Sequence, residues 1–390
     1  MFDPIKASKE IKDSYIDYIT TTFDMADTDY EREFRKELQT DGMVASGPFL
    51  DIGGSYETGH TLRELIQAQK ASILFENLEP VAEKERELKL DRPLYQHQET
   101  AMLKADKGEN LVVTTGTGSG KTESFLLPII NHLLREQEAG TLSAGVRAII
   151  IYPMNALAND QMKRMRALFK NYPQICYGVY NGNTEHTQSK ALAEYHRTYH
   201  DEVGEPIDPA PNEIISREVM QERPPHILIT NYSMLEYMML RPKDDAVFSG
   251  AKLKFIVLDE AHIYKGATGM ETSLLMRRLR ARISEPDSVQ YILTSATLGG
   301  PDADGDILSF AEKLCGVAFQ RSGIIRSTEK RPAMEDFLDF APALFEELQR
   351  SPDISSVLAR YHADFAPVGS EGEKLYALFL HSRLFALLRK

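Results

Sequence analysis

The sequence predicts an α/β fold, a parallel sheet covered by helices on both faces, with helical additions at each end. Three observations predict it. Six short, nearly continuous apolar runs recur between Leu94 and Thr297, helical patterns separate them, and a glycine-rich turn carrying lysine and threonine follows the first run. Strands that are apolar on both sides and alternate with helices belong to a sheet buried on both faces.

The bulk numbers are compatible with that fold. A chain of 390 residues can hold two or three domains and one large core. Hydrophobic and charged contents of 42% and 26% are those of an ordinary globular protein. The two cysteines, Cys176 and Cys315, stand far apart with no CxxC. That excludes a disulfide framework or zinc ribbon and fits a reducing, cytoplasmic setting. The first residues, MFDPIKASKE, are charged and lack the apolar core of a secretory leader. No run approaches the ~18–20 apolar residues of a membrane helix, so no membrane partner is expected. The net charge of −13 argues at first against a nucleic-acid binder. Its distribution weakens that argument. Residues 1–90 carry 19 Asp and Glu against 11 Lys and Arg, or −8; the other 300 carry 39 against 34, or −5. A near-neutral body can present a local basic groove.

Residues 1–90 read as a helical accessory region able to dock a protein partner. Ile11, Tyr15, Ile16 and Ile19 lie near helical spacing, and YEREFRKELQ forms a second amphipathic pattern. The Gly-rich stretch from Ser46 to Gly59 interrupts the pattern. Leu62, Leu65, Ile66, Ile73 and Leu74 then suggest a third helix, and Pro93 a boundary. Residues 91–322 read as the sheet domain, with NLVVTT, VRAIIIYP, ICYGVY, HILITN, KFIVLDE and VQYILTSAT as its strands. A polar stretch at about 185–225, containing EPIDPAPNE, reads as an insertion rather than a core element. After Gln320 the alternation stops, and residues 323–390 read as a helical extension. Its last helix, EKLYALFLHSRLFALLRK, has no neighbouring partner and no stop signal, so the chain is expected to continue past Lys390.

A strand, a glycine-rich turn and a Lys-Thr pair opening a helix form a phosphate cradle. The loop spans Thr115, Gly116, Thr117, Gly118, Ser119, Gly120, Lys121, Thr122 and Glu123. Glycines let backbone N–H groups converge on phosphate oxygens, and the helix N-terminus adds positive potential. Lys121 is expected to reach the β- and γ-phosphates of a bound ligand, and the Thr122 hydroxyl to hold Mg²⁺. The pattern GxxxxGK[ST] is not strictly met, because Thr115 occupies the first glycine position. Pro128 falls inside the following helix and is expected to kink it.

KFIVLDEAH places Asp259 and Glu260 at the end of an apolar strand, where open α/β sheets form their ligand crevice. Asp259 is expected to bind Mg²⁺ through water and Glu260 to orient and deprotonate the attacking water. YILTSATL delivers Ser295, Ala296 and Thr297 at another strand end. Their hydroxyls can link the metal site to a nucleic-acid face, although small polar residues are also ordinary turn formers.

In order, LYQHQ, TGTGSGKTE, YPMNALANDQ, TNYSMLEY, VLDEAH and TSATL resemble motifs Q, I, Ia, Ib, II and III of superfamily 2 DEAD/DEAH-box helicases. The resemblance spans about Pro93 to Leu298. The spellings are similar to those of large bacterial helicases of the DISARM, Druantia and mitomycin-repair type. The resemblance implies a RecA-like domain that binds ATP and Mg²⁺. It implies that Gln98 reads adenine with its two-way amide. Pro153, Asn155, Leu157 and Gln161, with Thr230, Asn231 and Tyr232, would hold one strand's sugar-phosphate backbone. His262 would touch the third motif or a facing domain. DNA is favoured over RNA by the resemblance alone.

Basic residues follow two of these motifs: Lys163, Arg164 and Arg166, then Arg277, Arg278, Arg280 and Arg282. For most of them a solvated helix face is the simpler reading. His196 and His200 stand four apart before Asp201, but the glutamate of a zinc-protease motif is missing. No motifs IV to VI follow. A second motor domain beyond residue 390 is expected to supply the arginine that accelerates hydrolysis by about 10³–10⁵, so this stretch alone is expected to hydrolyse ATP slowly. The expected activity is ATP-driven helicase or translocase work on nucleic acid. The alternatives are a double-strand translocase or remodeller, and a partner-docking module with a secondary motor.

Overall fold

The computed structural model of the chain describes residues 4–23, 25, 27–40, 42–46, 56–78, 88–116, 118–170, 172–200, 204–299, 301–330, 338–350, 353–361 and 370–383. They belong to two compact units, Ser55–Lys330 and Met1–Gly54 with Arg331–Lys390.

Among the described residues the first unit holds ten strands: β1 (Thr58–Thr61), β2 (Pro93–Tyr95), β3 (Leu111–Thr114), β4 (Ala148–Ile151), β5 (Tyr177–Tyr180), β6 (Glu213–Ile214), β7 (Ile227–Thr230), β8 (Phe255–Leu258), β9 (Gln290–Ser295) and β10 (Ile324–Arg326). β1 and β2 form an antiparallel pair. The other eight form one sheet in the order β10-β3-β9-β8-β4-β7-β5-β6, parallel throughout. All six expected strands are in it.

The period-two alternation sorts side chains between two cores. Leu111, Val113, Ile150, Val257 and Ile292 enter one, with Phe125 and Ile129 of the Lys121–Glu138 helix. Val112, Ile149, Ile151, Ile256 and Leu258 enter the other, with Leu275 and Leu279 of the Gly266–Arg282 helix. Burial of both faces explains why the strands read as continuous apolar runs.

Four expectations are corrected. The boundary near residue 91 moves back, because β1 pairs with β2 and Leu62, Leu65 and Phe75 lie in the sheet's core. The third N-terminal helix is two short pieces, Leu62–Gln67 and a 3₁₀ turn at Ile73–Leu78. The 185–225 stretch is only partly an insertion: it contributes edge strand β6, and Ile214 and Met220 are buried. Finally, strand order continues past Gln320, since β10 pairs with β3. Both missed sheet strands, two and three residues long, are too short for periodicity to register.

In the second unit, Pro4–Thr22 and Thr28–Gln39 are helices, with Asp27 capping the latter. The C-terminal part contains helices Pro342–Arg350, Ile354–Tyr361 and Glu371–His381. The last does have partners: Leu378 packs with Leu344, Val357 and Leu358. The described helix ends at His381, with Ser382 extended and bridged to Leu338, and residues 384–390 of the expected helix lie outside the described residues.

Candidate nucleotide site and nucleic-acid edge

β9 lies between β3 and β8, so the segments leaving β3 and β8 flank the end of β9. Thr114 pairs with Ser295, and Leu258 with Leu293. The three strands therefore end nearly level and open one crevice at their carboxyl ends.

The loop after β3 is built by local bonds. The Ser119 hydroxyl donates to Thr115 Oγ1 at 2.7 Å and lies 2.8 Å from the Gly116 carbonyl. Thr115 and Ser119 are buried, while Gly116 and Gly118 are exposed. Gly120 begins the helix from the left-handed region, φ 71° and ψ 40°. A Cβ there would stand 2.4 Å from Gln98 Nε2, so only glycine fits. Thr117 lies outside the described residues. Lys121 and Thr122 occupy the helix's first turn, half-buried. The Lys121–Glu138 helix runs unbroken through buried Pro128, which leaves the Ser124 carbonyl without its usual N–H donor.

Lys121 Nζ stands 3.1 Å from Glu260 Oε1. This ion pair spans the end of β9 and brings together the two motifs that the sequence separates. Asp259 continues β8, its N–H donating to the Ile151 carbonyl at 3.1 Å. The Thr294 hydroxyl donates to Asp259 Oδ1 and accepts the Glu260 N–H. Burial raises the Asp259 carboxyl above its ordinary range, against the pull of the Thr294 bond, and Glu260's charge adds to the rise. Glu260 itself has φ 49°, a left-handed conformation uncommon for a residue with a side chain. His262 Nδ1 lies 3.3 Å from Glu260 Oε2 and 3.2 Å from Ser295 Oγ. Ser295 Oγ also accepts the Thr297 N–H at 3.2 Å, leaving the Thr297 side chain exposed.

Gln98 is committed to the loop. Its amide oxygen accepts the Tyr95 N–H at 2.9 Å and its amide nitrogen donates to the Gly120 carbonyl at 3.0 Å. One N–H and one lone pair are left over, but the residue is only 2% exposed. Glu123 lies between the loop and Arg164: its Oε2 borders Gly120, and Arg164 Nη2 lies 2.7 Å from its Oε1.

The remaining motif residues cluster at the ends of β4 and β7. Asn231 Nδ2 donates to Asn155 Oδ1 at 2.9 Å, and Asn231 Oδ1 caps the Tyr232–Leu240 helix through the Met234 N–H at 2.7 Å. Pro153, Asn155, Asn231 and Tyr232 are half-buried. Tyr232 sets its ring edge-on to Tyr264, centroids 6.3 Å apart. The Asn155–Phe169 helix has no side-chain cap at its N-terminus, so its first amides face the strand-end edge as donors. Leu157 and Met154 are exposed there. Two residues depart from expectation. Thr230 is buried and its hydroxyl donates to the Tyr180 carbonyl at 2.7 Å, so it braces β7 against β5 rather than facing a strand. Gln161 is half-buried, with its amide oxygen inside and unpaired.

Arg277 and Arg278 lie on an exposed helix face, whereas Arg164, Arg166, Arg280 and Arg282 are half-buried. Arg166 makes a forked bond to Glu213, whose side chain is 1% exposed, and stacks over Tyr195 and Tyr199. Arg278 pairs with Glu236, Arg280 with Asp287 and Arg282 with Asp245, and Arg277 bonds Ser273 and the Lys313 carbonyl. Lys163 remains exposed beside Asp160. His196 pairs with Asp208 at 2.7 Å, His200 bridges Pro206 through its backbone, and Asp201 lies outside the described residues.

Two functional positions escaped sequence reading. Thr294 sits one residue before the triplet that drew attention, and its role comes from register alone. His97, between the two glutamines of LYQHQ, bonds the Ser119 carbonyl.

The site fits a magnesium-bound triphosphate by its chemistry. Thr122 and Asp259 are hard oxygen donors of the kind that magnesium takes. The glycine loop leaves Gly118 open space on its exposed side. The buried, high-pKa Asp259 gains from a neighbouring cation.

The DEAD/DEAH box helicase family profile matches residues 95–206 and 198–304. The Druantia protein DruE of Escherichia coli (strain UMEA 4076-1) is 32% identical over 413 residues, covering 83% of this chain and 22% of DruE. The uncharacterized ATP-dependent helicase YprA of Bacillus subtilis (strain 168) is 30% identical over 219 residues, covering 55% of this chain and 24% of YprA. The chain thus spans about a quarter or less of these relatives' length. A solved structure of the DEAD-box helicase Mss116 bound to ssRNA and UDP-BeF superposes with a TM-score of 0.51 at 16% identity, covering 83% of this chain and 64% of that one. That likeness is one of fold, and the fold is RecA-like. Among the described residues no helix is long and apolar enough to cross a membrane.

Proposed function

We propose, for a chain that belongs to the DEAD/DEAH box helicase family, that it is the first of two motor domains that move along nucleic acid at the expense of ATP. The single observation that supports this most is the Lys121–Glu260 pair at 3.1 Å. It sets a phosphate-binding lysine and a candidate general base within reach of one bound γ-phosphate.

The roles follow from position. Lys121 and the loop amides grip the β- and γ-phosphates. Thr122 and Asp259 hold the magnesium, which when bound neutralises charge on the phosphate oxygens. Glu260 orients the attacking water and takes its proton. His262 contacts both Glu260 and Ser295, so a shift of Glu260 passes through it to the segment that ends in exposed Thr297. Asn155, Asn231, Tyr232, Pro153 and the uncapped amides after Met154 hold a strand by its backbone. Among the described residues no base-reading array accompanies them, so affinity follows phosphate charge and falls with salt.

DNA is the proposed strand, and phage defence or DNA repair the setting. Both rest on the resemblance of the motif spellings to Druantia-, DISARM- and mitomycin-repair-type helicases. A second motor domain is proposed to complete the site with an arginine.

The test is ATP hydrolysis by a protein carrying both motor domains, with and without single-stranded DNA or RNA, beside a labelled-strand displacement assay. DNA-stimulated hydrolysis with strand release supports the reading. Hydrolysis without strand release favours a double-strand translocase, and hydrolysis indifferent to nucleic acid ends the motor reading.

A further inference from the structure

We propose that His97 is a positioning residue for the phosphate cradle, acting through the carbonyl of Ser119. The proposal rests on the nucleotide-site reading above. His97 lies in the first turn of the Gln96–Asp106 helix and is 2% exposed. Its Nε2 is 2.9 Å from the Ser119 carbonyl oxygen. A carbonyl only accepts, so Nε2 carries the hydrogen. The other ring nitrogen, Nδ1, is buried with no partner among the described residues, and burial holds the ring below its ordinary pKa. The ring is therefore a neutral, single-donor imidazole.

The adjacent residue does the same to the adjacent peptide. Gln98 Nε2 donates to the Gly120 carbonyl at 3.0 Å. Two consecutive side chains thus pin two consecutive loop carbonyls. In a trans peptide the C=O and N–H of one unit point in opposite directions. Holding the carbonyls of Ser119 and Gly120 toward the Gln96–Asp106 helix turns the N–H groups of Gly120 and Lys121 away from it. The left-handed φ of 71° at Gly120, between those two peptides, lets consecutive N–H groups converge. Such convergence makes an anion-binding concavity. Without the pins, the two peptide planes are free to flip, and the amides must be ordered at each binding event.

Aim is supplied by packing. The His97 ring stacks on Tyr95, centroids 5.6 Å apart at 16°, and meets Tyr56 edge-on at 5.8 Å and 79°. The two contacts fix the ring plane, so Nε2 points at one oxygen. Ring packing and hydrogen donation are separable. Phenylalanine retains the first and glutamine the second.

The test uses the full 390-residue chain, with ATP and inorganic tripolyphosphate, both with magnesium, as ligands in calorimetry. His97→Phe is expected to weaken both by about tenfold, the cost of one unsatisfied buried carbonyl. His97→Gln, whose amide nitrogen sits where Nε2 was, is expected to bind within about threefold of the unaltered chain. A comparison independent of phenylalanine is His97→Gln against His97→Asn, whose nitrogen reaches only the Nδ1 position; glutamine is expected to bind about tenfold tighter. Three results overturn the proposal: His97→Phe binding like the unaltered chain, loss of ATP with tripolyphosphate unaffected, or glutamine no better than asparagine. Lys121→Ala serves as control. If the unaltered chain binds neither ligand, or Lys121→Ala binds as well as it does, the nucleotide-site reading itself fails and takes the proposal with it.

Discussion

Lys121 and Glu260 stand 139 residues apart in sequence and 3.1 Å apart in space, each neutralising the other across the end of β9. Their side chains are 12% and 25% exposed, so the pair is only partly screened by water. On the roles proposed above, a triphosphate would compete with Glu260 for Lys121 and free the carboxylate for a water.

The two substitutions in this pair therefore have opposite signatures. Lys121→Ala is expected to weaken ATP binding about 10–100-fold, the range for a hydrogen bond to a charged group. Glu260→Gln is expected to leave binding unchanged or slightly tighter, because Lys121 loses its competitor, while hydrolysis falls about 10²–10⁴-fold. Titration with a fluorescent ATP analogue and a phosphate-release assay separate the two. Equal loss of binding in both variants would contradict the arrangement.

Arg166 and Glu213 form the buried ion pair that ties the Asn155–Phe169 helix to β6. Arg166→Ala leaves an unpaired carboxylate, with the Tyr195 hydroxyl as its remaining donor at 3.1 Å. The expected loss is about 3–5 kcal/mol of stability. The double replacement Arg166→Met with Glu213→Leu is expected to recover most of it, because no charge is left buried. Urea denaturation of the single and double variants checks this, and equal losses would show that the pair's charge is not what matters.

His226 makes stability depend on acid. Its Nδ1 accepts the Cys176 N–H at 3.0 Å and its Nε2 donates to the Ser143 carbonyl at 3.2 Å. Only the neutral ring can do both. Burial, and then the Arg147 charge, hold its pKa below the ordinary 6.5. Below that value the unfolded chain binds a proton that the folded chain refuses. The contribution is thus full above pH 6.5 and is lost as pH falls below it, by up to about 1.4 kcal/mol per pH unit. His97, shifted the same way by burial, adds to the slope. His226→Asn keeps an acceptor without a titration, so denaturation between pH 5 and 7 is expected to show a shallower slope; an unchanged slope refutes the assignment.

The unit boundary gives a contrast between two deletions. Removing residues 1–54 leaves every strand of the Ser55–Lys330 unit in place, and ATP binding is expected to survive. Removing residues 1–90 takes β1 and the buried Leu62, Leu65, Phe75 and Leu78. Each such loss costs about 2–5 kcal/mol, against a total stability of about 5–15. The shorter product is expected to be insoluble or unfolded by circular dichroism. A folded, ATP-binding product of the second deletion would place the boundary back near residue 91.

The sequence by itself determined the parallel sheet, its six long strands and the loop chemistry. These are local facts: apolar runs long enough to show a period, and glycines beside a lysine that have few other uses. Only the tertiary structure decided which groups remain free to act. Thr230 and Thr294 are both threonines at strand ends, yet register turns the first into a brace on Tyr180 and the second into the partner of Asp259. The arginines after motifs Ia and II look alike in sequence, but Arg164, Arg166, Arg278 and Arg282 meet carboxylates that arrive from other elements and neutralise them. Short strands β6 and β10, and the pairing of β1 with β2, were hidden for the same reason. Their stability comes from neighbours across the sheet or in its core, and such contacts leave no periodic trace in the chain that makes them.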